Sequence, residues 1–285
     1  MLTFGPPFVR CLICNSDDIY EYHRDAKNIR IFRCRDCGVQ FMNPQYTNQH
    51  LADYYSRYTK DEPEWDEALN YGHNFYLKIL ETYVPSKGAL LDIGSGKGHL
   101  LAAALQRGWN AKGYEIDCTL AKELSSKLGA EIQCGDFPTL GWQDGQFDAV
   151  VMHHVLEHLK NPASYLQAIR TMLTEHGVLF LVLPNIHSLS SRVKFFLEKL
   201  HLRTKNVGAY YDTSHHLWYF TPRTLTQMLS RFGFDVHYMR SGHRVRPHQT
   251  RIKRFIMRNI TEKNLLHSTF LCIAQKRSLH SSNEA

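Results

Sequence analysis

Long apolar runs are what this chain of 285 residues most plainly lacks. The longest, Leu100 to Leu105 and Val178 to Leu183, are six residues each, where a membrane-crossing helix needs about 20. The opening MLTFGPPFVRC has no basic stretch leading into an apolar one, so no secretory signal is visible. No internal repeat appears, and a composition of 43% apolar, 21% charged and 12% aromatic residues excludes disorder and collagen-like repetition. The expectation is a soluble, cytoplasmic protein without integral membrane association. Its length suits one large domain with a small appendage, since domains mostly run to about 100–200 residues.

Charge is unevenly spread. The net formal charge is +2 over residues 1–60, −7 over 61–187 and +12 over 188–285. A basic C-terminal third points to an anionic partner, such as a phosphorylated substrate, nucleic acid or lipid headgroups, or else to a solvated basic face. Its densest part is Arg244, Arg246, Arg251, Lys253, Arg254 and Arg258, whose guanidinium forks suit phosphate. Arg192 to Leu200 is amphipathic, the pattern of a lid helix or of a segment that touches a glycolipid at a membrane surface.

Four of the seven cysteines are patterned: Cys11 and Cys14, then Cys34 and Cys37, with Gly38 turning the chain after the second pair. Two such turns supply the four thiolates of a tetrahedral zinc site at about 2.3 Å, and the spacing matches that of zinc ribbons. Four thiolates leave no open position, so the metal is structural. About 40 residues bury too little core alone, and metal binding contributes on the order of 10–16 kcal/mol in such modules. Disulfides or redox chemistry are the weaker alternatives in an intracellular chain. Cys118, Cys134 and Cys272 stand alone in apolar surroundings and are expected to be inert packing thiols.

Residues 1–45 are expected to form the ribbon, with strands at Ile19–Tyr22 and Ile29–Arg33. Residues 46–84 alternate aromatics with charges and form a helical bridge. From Leu90 strand and helix signals alternate: strands at Leu90–Ile93, Ala111–Glu115, Ile132–Cys134, Phe147–Met152 and Val178–Leu183, and helices at His99–Gln106, Leu120–Lys127 and Asn161 to about Thr174. A helix at Pro222–Arg231 and strands at Phe234–Met239 and Ser268–Gln275 follow, with 186–220 as an insertion and a loose tail at 277–285. The expected fold is α/β over 85–276, a Rossmann-like, seven-stranded, mostly parallel sheet with helices on both faces, plus the small ribbon.

Asp92-Ile93-Gly94-Ser95-Gly96-Lys97-Gly98 follows a strand and opens a helix. A dinucleotide site would place its third glycine one residue later, where His99 stands. The pattern instead resembles motif I of the class I S-adenosylmethionine (SAM) methyltransferases. The resemblance, over about Leu90 to Gln275, implies that Gly94, Ser95, Gly96 and Gly98 cradle SAM and that Asp92 orients its methionine amino end. Glu115 would accept the ribose hydroxyls, Asp136 the adenine amine, and Phe137 would lie beside the adenine ring.

Methyl transfer from a sulfonium is an in-line displacement that needs alignment first, worth about 7–11 kcal/mol, and for some acceptors a base, worth about 10²–10⁴-fold. The candidates at the fourth strand's end are His153, His154, Glu157 and His158, a segment resembling the Glu-His of many small-molecule members. A second cluster is Tyr210-Tyr211-Asp212-Thr213-Ser214-His215-His216, continuing to Phe220. Together with the ribbon it resembles bacterial sugar methyltransferases, including those associated with surface polysaccharides. In the deoxysugar C-methyltransferases among them a Tyr…Glu-His…Tyr-Phe segment supplies a base, and His216 aligns with it. The preceding position, acidic there, is His215 here.

The resemblance therefore implies a SAM-dependent methyltransferase acting on a small-molecule or glycan acceptor, such as a sugar nucleotide or saccharide intermediate. Two alternatives stand beside it. One is an rRNA or tRNA methyltransferase, suggested by the ribbon and a sequence pI near 9.0. The other is a non-catalytic scaffold subunit of the same fold.

Overall fold

The computed structural model describes residues 2–25, 27–61, 67–200, 210–242 and 266–277. The arginine-rich segment 244–258 and most of the tail lie outside them. The chain folds into two sheets. A large one has the order β10-β11-β8-β7-β4-β5-β6, formed by β4 (Ala89–Ile93), β5 (Asn110–Tyr114), β6 (Ile132–Gln133), β7 (Phe147–His153), β8 (Leu173–Pro184), β10 (Phe234–Ser241) and β11 (Thr269–Lys276). Neighbours are parallel from β6 through to β8, and β11 runs antiparallel between β8 and β10.

Alternation sets the two faces of this sheet. Leu91, Ile93, Val150, Met152, Leu179 and Leu181 enter one core, while Leu90, Ala149, Val151, Val178 and Phe180 enter the other. Each fully buried side chain of this size contributes about 1.5–3 kcal/mol. The second face is covered by α2 (Glu67–Leu80) and α3 (His99–Gln106). Helix α4 (Cys118–Leu128) is capped by Asp117, whose side chain accepts from the N–H groups of Thr119 and Leu120. Helices α5 (Pro162–Met172) and α7 (Pro222–Arg231) each begin with a capping residue, Asn161 and Thr221, and a first-turn proline. Strand β8 starts at Leu173, before Gly177, because Leu173 already pairs with Phe147.

The small sheet has the order β1-β2-β3-β9: β1 (Ile19–Arg24), β2 (Arg30–Cys34), β3 (Gln40–Met42) and β9 (Trp218–Tyr219). Its outer strand comes from the segment expected as an insertion. Phe41 pairs with Trp218 and Gln40 with Tyr219. Tyr211 donates its hydroxyl to Gln40 Oε1 at 2.6 Å, Thr213 to Asp25 Oδ2 at 2.6 Å, and Tyr46 to the Thr213 carbonyl at 2.7 Å. The ribbon and one face of the large sheet thereby share a single core.

Helix α6 (Leu189–Lys199) fills the expected amphipathic segment, and its apolar stripe of Leu189, Val193 and Phe196 is exposed. Among the described residues no helix is long and apolar enough to cross a membrane. The lone cysteines divide: Cys272 is buried, and burial pushes its thiol up to about 12. Cys118 and Cys134, expected as packing thiols, are instead joined in a disulfide. They sit just beyond the ends of neighbouring parallel strands, which brings their Cα atoms to 5.2 Å, within bridging range.

Candidate active site

The four ribbon cysteines converge. Their sulfurs lie within 4.8 Å of one another, with Cys11 to Cys37 at 3.7 Å and Cys14 to Cys34 at 3.5 Å. Four thiolates at about 2.3 Å from one tetrahedral ion stand about 3.8 Å apart, so this spacing suits zinc. The hydrogen bond from Cys37 holds Cys11 down to about 5.

At the carboxyl end of β4, Gly94 and Ser95 donate their N–H groups to the Tyr114 carbonyl, at 2.8 and 3.0 Å, which ties the glycine loop to β5. Gly94 has φ +75°, and a Cβ there would meet Val155 Cγ2 at 2.6 Å. No other residue fits without displacing Val155. Asp92 is 2% exposed, and its Oδ2 is buried without a hydrogen-bond partner. Burial pushes its carboxyl up to about 7, with the nearby Glu115 charge adding to the effect. Glu115, also buried and raised by burial, accepts from the Gly96 N–H at 2.9 Å and the Asp117 N–H at 3.2 Å. Asp136 is exposed at the end of the third parallel strand. The Phe137 ring is fully buried, stacked on Tyr165 with centroids 4.7 Å apart. It packs inside the core, so only the Phe137 backbone is left to meet a ligand.

Two histidines stand at the end of β7, their rings edge to face with centroids 4.8 Å apart. His153, the last residue of the strand, lies against α2, with ring centroids 5.3 Å from Tyr76 and 5.4 Å from His73. His154, just beyond the strand at φ +56°, has its Nδ1 3.1 Å from Glu157 Oε1. Glu157 is 1% exposed, and its Oε2 is buried without a hydrogen-bond partner. Burial opposes its charge, but the hydrogen bond with His154 and the neighbouring imidazoles hold it down to about 2. His158 Nε2 lies 3.8 Å from the same Oε1.

The insertion brings His215 and His216 onto this group. His215 stacks on His158 with centroids 4.8 Å apart and planes 6° from parallel, and His216 lies 4.8 Å from His158 and 4.5 Å from His215. Hydrogen bonds to backbone carbonyls fix the two segments together. Leu217 donates its N–H to the Glu157 carbonyl at 2.9 Å, and Trp218 Nε1 donates to the Leu159 carbonyl at 2.7 Å. Burial pushes His158 down to about 3 and His215 to about 4, and lowers His216 as well. Burial thus disfavours the charged form of all three, against the attraction of the Glu157 carboxylate.

His154, Glu157, His158 and His216 thus meet, and His153 borders them through its edge contact with His154, with Tyr76 and His73 of α2 on its other side. Sequence reasoning had passed over His215 as a departure from an acidic position, and Tyr54, whose ring stacks on His215 at 4.9 Å. It had also missed His73. Tyr54 carried one weak signal, its place among alternating aromatics and charges; His73 carried none that distinguished it from a packing residue.

A methyltransferase-domain family model matches residues 68–238, well over half of the chain. Two ubiquinone biosynthesis O-methyltransferases are similar: that of Aeromonas salmonicida, 27% identical over 54% of this chain, and that of Pseudomonas aeruginosa, 34% identical over 32% of it. The chain spans 66% and 42% of the lengths of those relatives. Among solved structures, the Burkholderia thailandensis 1,6-didemethyltoxoflavin-N1-methyltransferase, with its substrate and S-adenosylhomocysteine bound, superposes with a TM-score of 0.56 at 15% identity, over 90% of this chain and 99% of its own. The magnesium protoporphyrin IX methyltransferase of Synechocystis, with S-adenosylhomocysteine, gives 0.51 at 14% identity, over 80% and 94%. At such identities these two show a common fold. Sheet order, glycine loop and family match agree, and the chain belongs to the methyltransferase-domain family.

Proposed function

We propose that the protein transfers the methyl group of SAM to a small-molecule or glycan acceptor that docks against the imidazole cluster. The observation that carries this reading is Asp92: a buried carboxylate with an unpartnered oxygen, beside a loop whose glycines leave the backbone bare. A buried carboxylate oxygen without a partner is costly, and a cationic amino group there relieves it. SAM fits these residues, with its ammonium on Asp92, its ribose hydroxyls on Glu115 and its adenine amine beside Asp136. Bound there, SAM supplies a methyl group activated by the sulfonium.

The protein's own part is alignment and proton transfer. Within the cluster His154 is the most open, its side chain 36% exposed, and Glu157 fixes its ring. It takes the acceptor's proton, while the more enclosed His158 and His216 flank the acceptor. His153 supports the α2 side of the crevice. The ribbon, with structural zinc on Cys11, Cys14, Cys34 and Cys37, holds the insertion over the site. The similar curated proteins are O-methyltransferases, and the Burkholderia structure holds a small heterocycle, which supports a small acceptor. The ribbon and the segment from His216 to Phe220 support a sugar or other glycan intermediate.

Incubation of the protein with methyl-labelled SAM and fractionated cell extract tests this reading. Label should enter a small-molecule or glycan fraction and be lost with Asp92→Ala and with His154→Ala. Label confined to RNA would overturn the acceptor assignment, and no SAM binding by calorimetry would overturn the enzyme.

A further inference from the structure

We propose that His158, His215 and His216 form a second metal site, which binds a divalent transition cation beside the acceptor. The proposal deepens the reading above and rests on it only for what the metal does, not for whether it binds. One ring nitrogen from each of the three histidines lies within 4.8 Å of the others. A cation with about 2.0–2.1 Å metal–nitrogen bonds in tetrahedral geometry needs these atoms about 3.3–3.4 Å apart, so small side-chain rotations close the site. Imidazole nitrogens suit zinc, iron, cobalt and nickel, and three protein ligands leave a position for a substrate oxygen.

Hydrogen bonds around the rings have the pattern of a metal centre's outer layer. In such centres each ligating histidine donates its other ring N–H to a carbonyl, carboxylate or similar acceptor. His158 Nδ1 lies 3.3 Å from the His215 carbonyl, an acceptor only, so it carries the hydrogen and leaves Nε2 to ligate. His215 Nδ1 lies 2.8 Å from Ser214 Oγ and 2.9 Å from the Tyr54 hydroxyl, which assigns ligation to its Nε2. His216 makes no side-chain hydrogen bond with the described residues. Two carboxylates stand by: Glu157 Oε1 is 3.8 Å from His158 Nε2, and Asp212 Oδ1 is 3.9 Å from His215 Nδ1. Among the described residues the ion pairs of Glu157 are with histidines alone, and its Oε2 is buried without a partner. A cation nearby supplies the missing countercharge. The side chains of His158 and His215 are only 15% and 13% exposed, unlike chance surface histidines.

The metal would hold the acceptor's hydroxyl oxygen and make its proton easier to lose. That proton passes to His154. The oxygen's lone pair then forms the bond to the methyl carbon as the carbon–sulfur bond breaks, its electron pair remaining on sulfur.

Cobalt(II) titrated into the full-length protein, with zinc already filling the thiolate site, separates the two metals. One equivalent should bind with micromolar affinity and give visible d–d absorption without thiolate-to-cobalt charge-transfer bands. His215→Gln and His216→Gln should each weaken binding at least 30-fold. As a check independent of variants, cobalt should shift or broaden the histidine ring signals in wild-type NMR spectra. Absence of binding at 1 mM cobalt, unchanged affinity in both folded variants, or thiolate bands alone would overturn the site. SAM calorimetry on the same samples reads the cofactor pocket separately: SAM binding without cobalt binding leaves the methyltransferase reading intact and removes the metal.

Discussion

Asp92 keeps its proton in the folded protein up to about pH 7, whereas an aspartate in an unfolded chain loses it near 4. Between those values the folded state binds more protons than the unfolded one, so this residue makes stability fall as pH rises from about 4 to 7, with the loss complete above that. Asp92→Asn has no charge to bury. Urea unfolding should therefore show the variant gaining about 2–4 kcal/mol relative to wild type between pH 4.5 and 8. A constant difference across that range would refute the assignment. The glycine loop and the four ribbon cysteines were legible in sequence because spacing alone specifies their geometry. The Cys118–Cys134 bond was not, since it depends on β5 and β6 lying side by side. Phe137 was misread for a similar reason: only the fold shows that Tyr165 occupies the face of its ring.

At the scale of elements, strand β9 is two residues long yet joins three parts of the molecule. Trp218 is 1% exposed, packs on Phe41 at 5.4 Å and hydrogen-bonds the carbonyl after His158. Trp218→Ala should cost about 3–5 kcal/mol in thermal or chemical unfolding. A loss under about 1 kcal/mol would mean that β9 is not an anchor. Helices α3 and α7 fall where the helix signals of the sequence placed them. Strands β3 and β9 escaped notice because three and two residues are too short to display alternation. Strand β9 exists through pairing with β3, Phe41 with Trp218 177 positions later, and no local pattern announces that.

For the molecule as a whole, the ribbon is part of the site's framework. Asp92 and Glu115 stand on the large sheet, but His215 and His216 precede the strand that hydrogen-bonds to β3. Loss of the metal proposed for the four thiolates should thus impair methyl transfer far more than SAM binding. Cys37→Ser should lower kcat at least 10-fold with less than a 3-fold change in the calorimetric Kd for SAM. Equal losses in both would place the ribbon's influence on the cofactor pocket instead. The shared ladder also orders events at the ribosome. Gln40 must await its ladder partner Tyr219, far later in the chain, which at about 5–20 residues per second takes about 10–35 s. Through that interval the nascent N-terminal module carries an open edge, so in a cell its safe maturation depends on how fast the remainder is translated.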